Sequence, residues 1–406
     1  MKMEFFNSVS VEEAKGIIRE VGEKNKVLFE EVSFYQATDR ILYEDIISKE
    51  NVPSFNRSRV DGYAVKFNET NGSSETMQTI FTLKDKVFIG KKPSFIIQSE
   101  ECAYVPTGGE VPKGADAVVM IEDTDSIIDE EILVDKSVSL NENITLEGED
   151  IKIGEVVLKK GTKLTPFSIG VLSSLGITKV KVFKRPRVGI ISTGDEIVPI
   201  EKEILKESEI RDINSYALKE SFIKLGCEIS HEVLVKDNYE ALKKSILDTI
   251  EDSDFILMSG GSSVGERDYM AKLLKELGEI LFHGIRMKPG KPVLFGKIKE
   301  KGFFGLPGNP VSCLLASKLF VEEYIRTLTA GEKIERSIDL KLKTNLHSAP
   351  GKTTFVLGNI EGEYVNPLFF RSSMIKTLAT ANGYLEIDEK NEGLYKDSLV
   401  KFYLFD

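Results

Sequence analysis

Apolar residues recur at helical spacing in VEEAKGIIREVGEK, and Ser10 with Glu13 makes a Ser-x-x-Glu box ahead of them, so a first helix is predicted to begin near Val11. Residues 27–55 then suggest a short strand and a turn, and FNRSRVDGYAV places Asp61-Gly62 in a tight loop before an apolar strand. From Thr76 to Asp135 the pattern is one of short β segments punctuated by Gly and Pro, with Ala117 to Ile121 reading as a buried strand. Gly148, Gly154 and Gly161 read as turns joining short strands, and Thr165-Pro166 opens a second helix, expected to return beside the first. At Arg187 the character changes: VGIIST is a continuous apolar run, and later helical stretches alternate with VLVKD and FILMSGG, the pattern of a doubly wound parallel sheet. The last segments, IDLKLKTNL, TTFVLGNI, EYVNPLF and LVKFYLF, are again β-like and read as a small barrel or sandwich. The expected domains are an α+β region from 1–30 and 145–185, a mainly β domain at 31–144, the doubly wound domain at 186–330 and a small β-barrel at 331–406.

Chemistry enters at the strand ends. In an open parallel sheet the reactive groups lie beyond the carboxyl ends of the strands, and Asp195, Glu196, Asp237 and the Ser262 to Asp268 loop all fall there. The run Phe255 to Met258 stops at Gly260-Gly261 and opens a Ser- and Gly-rich turn, a source of backbone N–H donors for an anion. Arg286, Lys288 and Lys291 follow, with Pro289 and Pro292 stiffening the backbone between them. Pro310 suits the first position of a helix VSCLLASKLF. Asp212 and Asn214 are read as caps of the next helix, Thr107-Gly108-Gly109 as a turn, and Arg371-Ser372-Ser373 as a loop between two late strands.

Composition narrows the partners. A chain of 406 residues with a net charge of −11 argues against sequence-independent binding of nucleic acid or anionic membranes and favours a small-molecule ligand. Three cysteines far apart and three histidines without ligand spacing argue against a disulfide framework or a cysteine zinc site. No stretch reaches the roughly 20 apolar residues of a membrane span, and the amino terminus lacks the apolar core of a signal peptide, so the expected location is the cytoplasm.

Taken in order, VDGYAV, VPTGGEVPKGADAVVM, GEDI, STGDE, RDINSYAL, SGGSSVGERDY, KPGKPVLFG, LPGNPVS and ANGYL resemble the MoeA family of molybdopterin molybdenumtransferases, relatives of the gephyrin E domain. The resemblance implies molybdenum cofactor biosynthesis: insertion of molybdate into adenylated molybdopterin with release of AMP, assisted by Mg²⁺, in a homodimer whose doubly wound domain is of the molybdopterin-binding type. It also implies contact with a molybdopterin adenylyltransferase and with recipient molybdoenzymes. Asp61, Glu196, Asp237 and Asp268 are the expected acidic set, with Asp61, Glu196 and Asp237 as metal ligands, and Lys288 and Lys291 are the expected catalytic cations. Ligand contacts are expected from Thr107, Gly260, Gly261, Ser262, Ser263, Gly265, Pro292, Pro307, Pro310, Ser312, Arg371 and Ser372. Charge-assisted hydrogen bonds from the lysines, Arg371 and the serine hydroxyls suit a dianion such as molybdate.

The chain departs from the family pattern where Val60 stands in place of Met, and where Thr145-Leu146-Glu147 stand in place of a basic residue. Two rival readings are an adenylyltransferase acting on the pterin and a non-catalytic scaffold like the gephyrin E domain. The presence of both acidic and basic site residues favours the transferase.

Overall fold

The structure is a computed structural model that describes residues 8–127, 130–260, 269–332, 336–348, 350–368 and 375–405. The chain divides into two compact units: a larger one of Met1–Glu44, Lys160–Pro166 and Lys179–Asp406, and a smaller one of Asp45–Lys159 and Phe167–Thr178.

The larger unit is built on a six-stranded sheet in the order Glu228–Val235, Arg187–Thr193, Phe255–Ser259, Lys301–Leu306, Leu294–Ile298, Glu279–His283. The first four strands run parallel, and Leu294–Ile298 runs antiparallel to both of its neighbours, so Glu279–His283 again follows the direction of the first four. Continuous apolar runs are what such a sheet demands, because both faces are covered. Along Arg187–Thr193, Ile190 joins the core that holds Leu218, Phe222 and Tyr324, while the next residue, Ile191, joins the opposite core with Leu242, Ile246 and Leu273. Phe255, fully buried, meets Tyr324 edge-on at 5.4 Å and Phe304 at 6.3 Å. Each large apolar side chain so buried contributes about 1.5–3 kcal/mol.

The first helix runs Val11–Lys24 and begins where the sequence predicts: Glu13 N–H donates to Ser10 Oγ at 3.2 Å, and Ser10 N–H donates to Glu13 Oε2 at 2.7 Å. Its apolar face, with Ala14, Ile18 and Val21, packs into the core shared with Tyr324, Ile325 and Leu328 of the helix Glu322–Leu328. Gly22 permits that approach, since an added Cβ would lie 1.9 Å from Thr327 Oγ1. The helix Pro166–Ser174, expected beside this one, falls almost wholly in the smaller unit.

At the carboxyl end, Thr353–Glu361 pairs with Tyr364–Pro367, which pairs with Ser337–Leu342, then Leu399–Leu404, then Gly383–Ile387. Gly383–Ile387 returns to Thr353–Glu361, so the five strands close into a small barrel with no free edge among them. The two residues Met287–Lys288 add to this barrel as a short parallel strand beside Thr353 and Thr354.

The smaller unit holds a mixed six-stranded sheet in the order Ala117–Met120, Gly62–Val65, Glu101–Val105, Thr79–Lys86, Glu131–Val134, Thr124–Ile127. Val65, Phe81, Cys102, Val119 and Ile132 form its core.

Candidate active site

Three neighbouring parallel strands of the larger unit end together at Thr193, Val235 and Ser259, and their carboxyl ends carry the acidic groups. Thr193 Oγ1 donates to Asp237 Oδ1 at 2.6 Å, and Asp237 N–H donates to Asp195 Oδ1 at 3.3 Å. Lys236 Nζ donates to the carbonyls of Asp195 at 2.7 Å and Ile197 at 3.0 Å, folding the loop after Thr193 over the end of its neighbour. Glu196 is exposed, and its carbonyl accepts from Ile210 N–H at 2.9 Å.

Glycine is required where the next strand leaves the sheet. Gly260 has φ +100°, and an added Cβ would sit 2.0 Å from the Thr193 carbonyl oxygen. Across from it, an ideal Cβ on Gly308 would lie 3.5 Å from Gly260 Cα. Gly308 belongs to the turn from buried Pro307 to Pro310, which occupies the first position of the helix Pro310–Ala316 as its fixed φ favours. Asn214 Nδ2 donates to the Gly308 carbonyl at 2.9 Å, tying this turn to the start of the helix Asn214–Lys224. Ile213 holds the cap position of that helix, and Asp212, expected there, stands one residue earlier but still meets the first turn: its carboxylate accepts from Ser215 N–H at 3.2 Å and Ser215 Oγ at 2.6 Å. Asn214 is instead the first residue inside that helix, and its bond to Gly308 was not legible in the sequence.

The three cations of the IRMKPGK segment separate by role. Arg286 is a strut: Nη1 donates to the Ser8 carbonyl at 2.9 Å, and the guanidinium lies 3.6 Å from Glu13 and 3.7 Å from Glu389. Lys288 is exposed and has no acidic partner within ion-pair distance among the described residues. Lys291 is exposed as well, and its carbonyl accepts from Ile285 N–H at 2.9 Å. Pro292 follows, half-buried. Gly290 has φ +100°, and its ideal Cβ would lie 3.7 Å from the carbonyl of buried Ser312, so the lysine-bearing turn lies against the helix Pro310–Ala316.

In the smaller unit, Asp61 and Thr107 are held together, Thr107 N–H donating to Asp61 Oδ1 at 2.7 Å and Thr107 Oγ1 to the same oxygen at 3.1 Å. Gly62 must be glycine because an added Cβ would sit 2.0 Å from the Val119 carbonyl. Thr107-Gly108-Gly109 is the turn that was expected, with Gly108 at φ +81°. Around the departure from the family pattern, Arg59 Nε donates to Thr145 Oγ1 at 3.1 Å and its guanidinium pairs with Glu149. Glu147 accepts from Asn51 Nδ2 at 2.8 Å. A positive group therefore stands against this segment, supplied by Arg59 from the bend after the short strand Arg57–Ser58.

Gly261, Ser262, Ser263, Gly265, Asp268, Arg371 and Ser372 lie outside the described residues. The three expected metal ligands are divided between the units, Asp61 in the smaller and Glu196 and Asp237 in the larger. Among the described residues, no group of three or more His, Cys, Asp or Glu side chains stands together as a metal site. The three cysteines are buried free thiols; burial pushes Cys102 and Cys227 each up to about 12, and raises Cys313 further with a contribution from Asp212. None is suited to act as a thiolate.

Comparison with known proteins agrees along the whole chain. Residues 9–176 match the MoeA N-terminal region (domain I and II), residues 189–327 a probable molybdopterin binding domain, and residues 339–405 the MoeA C-terminal region (domain IV). A putative molybdopterin biosynthesis protein of Methanocaldococcus jannaschii is 37% identical over 382 residues, 92% of each chain. A molybdopterin molybdenumtransferase of Haemophilus influenzae is 37% identical over 331 residues, 81% of this chain and 80% of that one. The crystal structure of a MoeA molybdopterin biosynthesis protein from Pyrococcus horikoshii OT3 superposes with a TM-score of 0.86 at 30% identity, covering 98% of this chain and all (100%) of that one. With two MoeA regions flanking a molybdopterin binding domain and relatives matched over most of their length, the chain belongs to the MoeA family.

Proposed function

We propose that this chain inserts molybdate into adenylated molybdopterin, releasing AMP and forming molybdenum cofactor. It is a molybdopterin molybdenumtransferase of molybdenum cofactor biosynthesis, the activity named for its relatives at 31–37% identity over most of their length. Those names favour the transferase over both the adenylyltransferase and the scaffold readings.

The observation that carries the reading is the arrangement at the carboxyl edge. Thr193 holds Asp237 through its hydroxyl and lies against Gly260 through its carbonyl, where an added Cβ would clash, and the Pro307 to Pro310 turn approaches Gly260. Close backbone approach with a positioned carboxylate is how a sheet edge receives a phosphorylated ligand. Lys288, exposed and without a carboxylate partner among the described residues, offers a charge-assisted hydrogen bond to an oxyanion, and molybdate is the substrate of that kind. The chain's part in the reaction is to hold both anions at this edge, with Asp237 as a carboxylate positioned by Thr193.

Mg²⁺ is the metal the reading calls for. The donor set fits it in kind: of the expected ligands, Glu196 and Asp237 of the larger unit supply hard oxygens, and a small cation that keeps several waters needs only one or two carboxylates when phosphate oxygens complete its shell. Among the described residues, Oδ2 of Asp237 accepts no hydrogen bond, leaving it available. When bound, Mg²⁺ would neutralise charge on the phosphates of the adenylated pterin.

A homodimer and a cytoplasmic location belong to the same reading. Among the described residues, no helix is long and apolar enough to cross a membrane. The testing experiment combines purified protein, adenylated molybdopterin, Mg²⁺ and molybdate, and follows AMP release together with molybdenum bound to pterin. Molybdate-dependent AMP release supports the reading; pterin binding without turnover overturns it in favour of a scaffold.

A further inference from the structure

Four buried side-chain polar atoms have no hydrogen-bond partner among the described residues: Asn214 Oδ1, Ser259 Oγ, His231 Nδ1 and Asn359 Oδ1. A buried polar atom left unmet is destabilising, so each calls for a partner that the described protein groups do not supply. Two of the four stand at the carboxyl edge already described. Ser259, 1% exposed, ends the strand Phe255–Ser259 immediately before Gly260, and Asn214, 7% exposed, opens the helix Asn214–Lys224.

Chemistry fixes which way the Asn214 amide faces. Its Nδ2 donates to the Gly308 carbonyl at 2.9 Å, and a carbonyl can only accept. Turned over, the amide would set two oxygens against each other, so the unmet arm is Oδ1, a hydrogen-bond acceptor. The same amide is coupled to the glycine turns, since Gly308 approaches Gly260 with an ideal Cβ at 3.5 Å. Capping does not account for Asn214, because Asp212 already satisfies Ser215 with both carboxylate oxygens.

We infer that Asn214 is a specificity-determining residue whose Oδ1 accepts an N–H from an amine-bearing heteroaromatic ring of the substrate, with Ser259 Oγ as a second polar contact at the same edge. Ionised phosphate and molybdate oxygens are acceptors and cannot satisfy Oδ1, whereas a ring amine can. The inference rests on the proposed reaction, whose adenylated pterin carries two rings of this chemistry.

The test is calorimetric titration of the full chain with two matched pairs: AMP against inosine monophosphate, and pterin against lumazine. Within each pair a ring amine is replaced by oxygen. For one pair, wild-type protein should bind the amine-bearing member roughly tenfold more tightly, and Asn214→Ala should bring that ratio close to one. The pair that shows the preference identifies the ring. Loss of the Gly308 bond would weaken both members equally, so only the ratio counts. Ser259→Ala removes the second polar contact at the same edge, leaves the bond from Asn214 to Gly308 in place and should reduce the preference, which covers the case in which the alanine variant at 214 does not fold. Equal affinities within both pairs for wild type, or a preference that Asn214→Ala leaves intact, would overturn the inference. Molybdate-dependent AMP release by wild-type protein separates the two failures: release without amine preference sinks the inference alone, and neither release nor binding sinks the reaction as well.

Discussion

Asp237 in the larger unit and Asp61 in the smaller are each held by a threonine, but they are held differently. Asp237 depends on one hydroxyl, that of Thr193, which is 2% exposed at the end of a strand buried on both faces. Asp61 is gripped twice by an exposed residue, through both the N–H and the hydroxyl of Thr107. Where the backbone already fixes a carboxylate the hydroxyl is partly redundant, and where a buried hydroxyl acts alone its loss also leaves polar atoms without partners. The carboxylate of the larger unit should therefore be the more easily disrupted of the two.

The largest effect expected is that of Gly260→Ala, which places a Cβ 2.0 Å from the Thr193 carbonyl at φ +100°. Backbone strain alone costs about 1–3 kcal/mol, roughly 5- to 150-fold in rate, and the clash with the Thr193 carbonyl adds to it, so AMP release should fall by about 100-fold or more, with a lower Tm in thermal unfolding. A variant of wild-type activity would show that the edge is not close-packed. Next, Asp237→Ala should lower molybdate-dependent AMP release by about 100-fold while leaving the far-ultraviolet circular dichroism unchanged. Retention of the wild-type rate would remove Asp237 from the site.

Lys288 and Arg286 offer a finer contrast within one segment. Losing a charge-assisted hydrogen bond costs about 1.5–3 kcal/mol, so Lys288→Ala should raise the KM for molybdate by roughly 10- to 100-fold. Arg286→Ala, which removes the contacts to Ser8, Glu13 and Glu389, should lower the Tm and leave that KM alone. If the two variants behave alike, the division into strut and ligand contact is wrong. The threonines then bear on the opening comparison directly. Thr107→Val should reduce activity by roughly 3- to 10-fold, at about 0.5–1.5 kcal/mol for one neutral hydrogen bond, and Thr193→Val by more. The reverse order would break the comparison.

The smallest effect concerns acid stability of the smaller unit. The Leu146 N–H, and after it the Arg59 guanidinium, hold Glu149 below its usual 4.5 against the opposing effect of burial. A carboxylate with a depressed folded pKa contributes stability above its unfolded value, and that contribution is lost as pH falls through the folded value. Glu149→Gln should therefore lower stability slightly at neutral pH, change little at acid pH where the wild type has already lost this contribution, and so flatten the acid limb of the unfolding profile below about pH 4.5, as circular dichroism would follow.

Much of this molecule is written locally. The capping box at Ser10, the continuous apolar strands at Arg187–Thr193 and Phe255–Ser259, the Pro310 helix start and the Asp212 contact with Ser215 each depend on a few neighbouring residues, so sequence alone determined them. The resemblance carried by nine short strings likewise located the family before any coordinate was known. What the tertiary structure decided was which of several similar groups meet. Arg286 and Lys288 look alike in a string of residues, yet only the fold brings Glu13 and Glu389, 376 positions apart, to one of them. Thr193 meets Asp237 because parallel neighbours end at the same edge, and Asn214 meets Gly308 across 94 residues. Hydrogen bonds and ion pairs act over a few ångströms, so their partners are fixed by packing, which local sequence pattern does not encode.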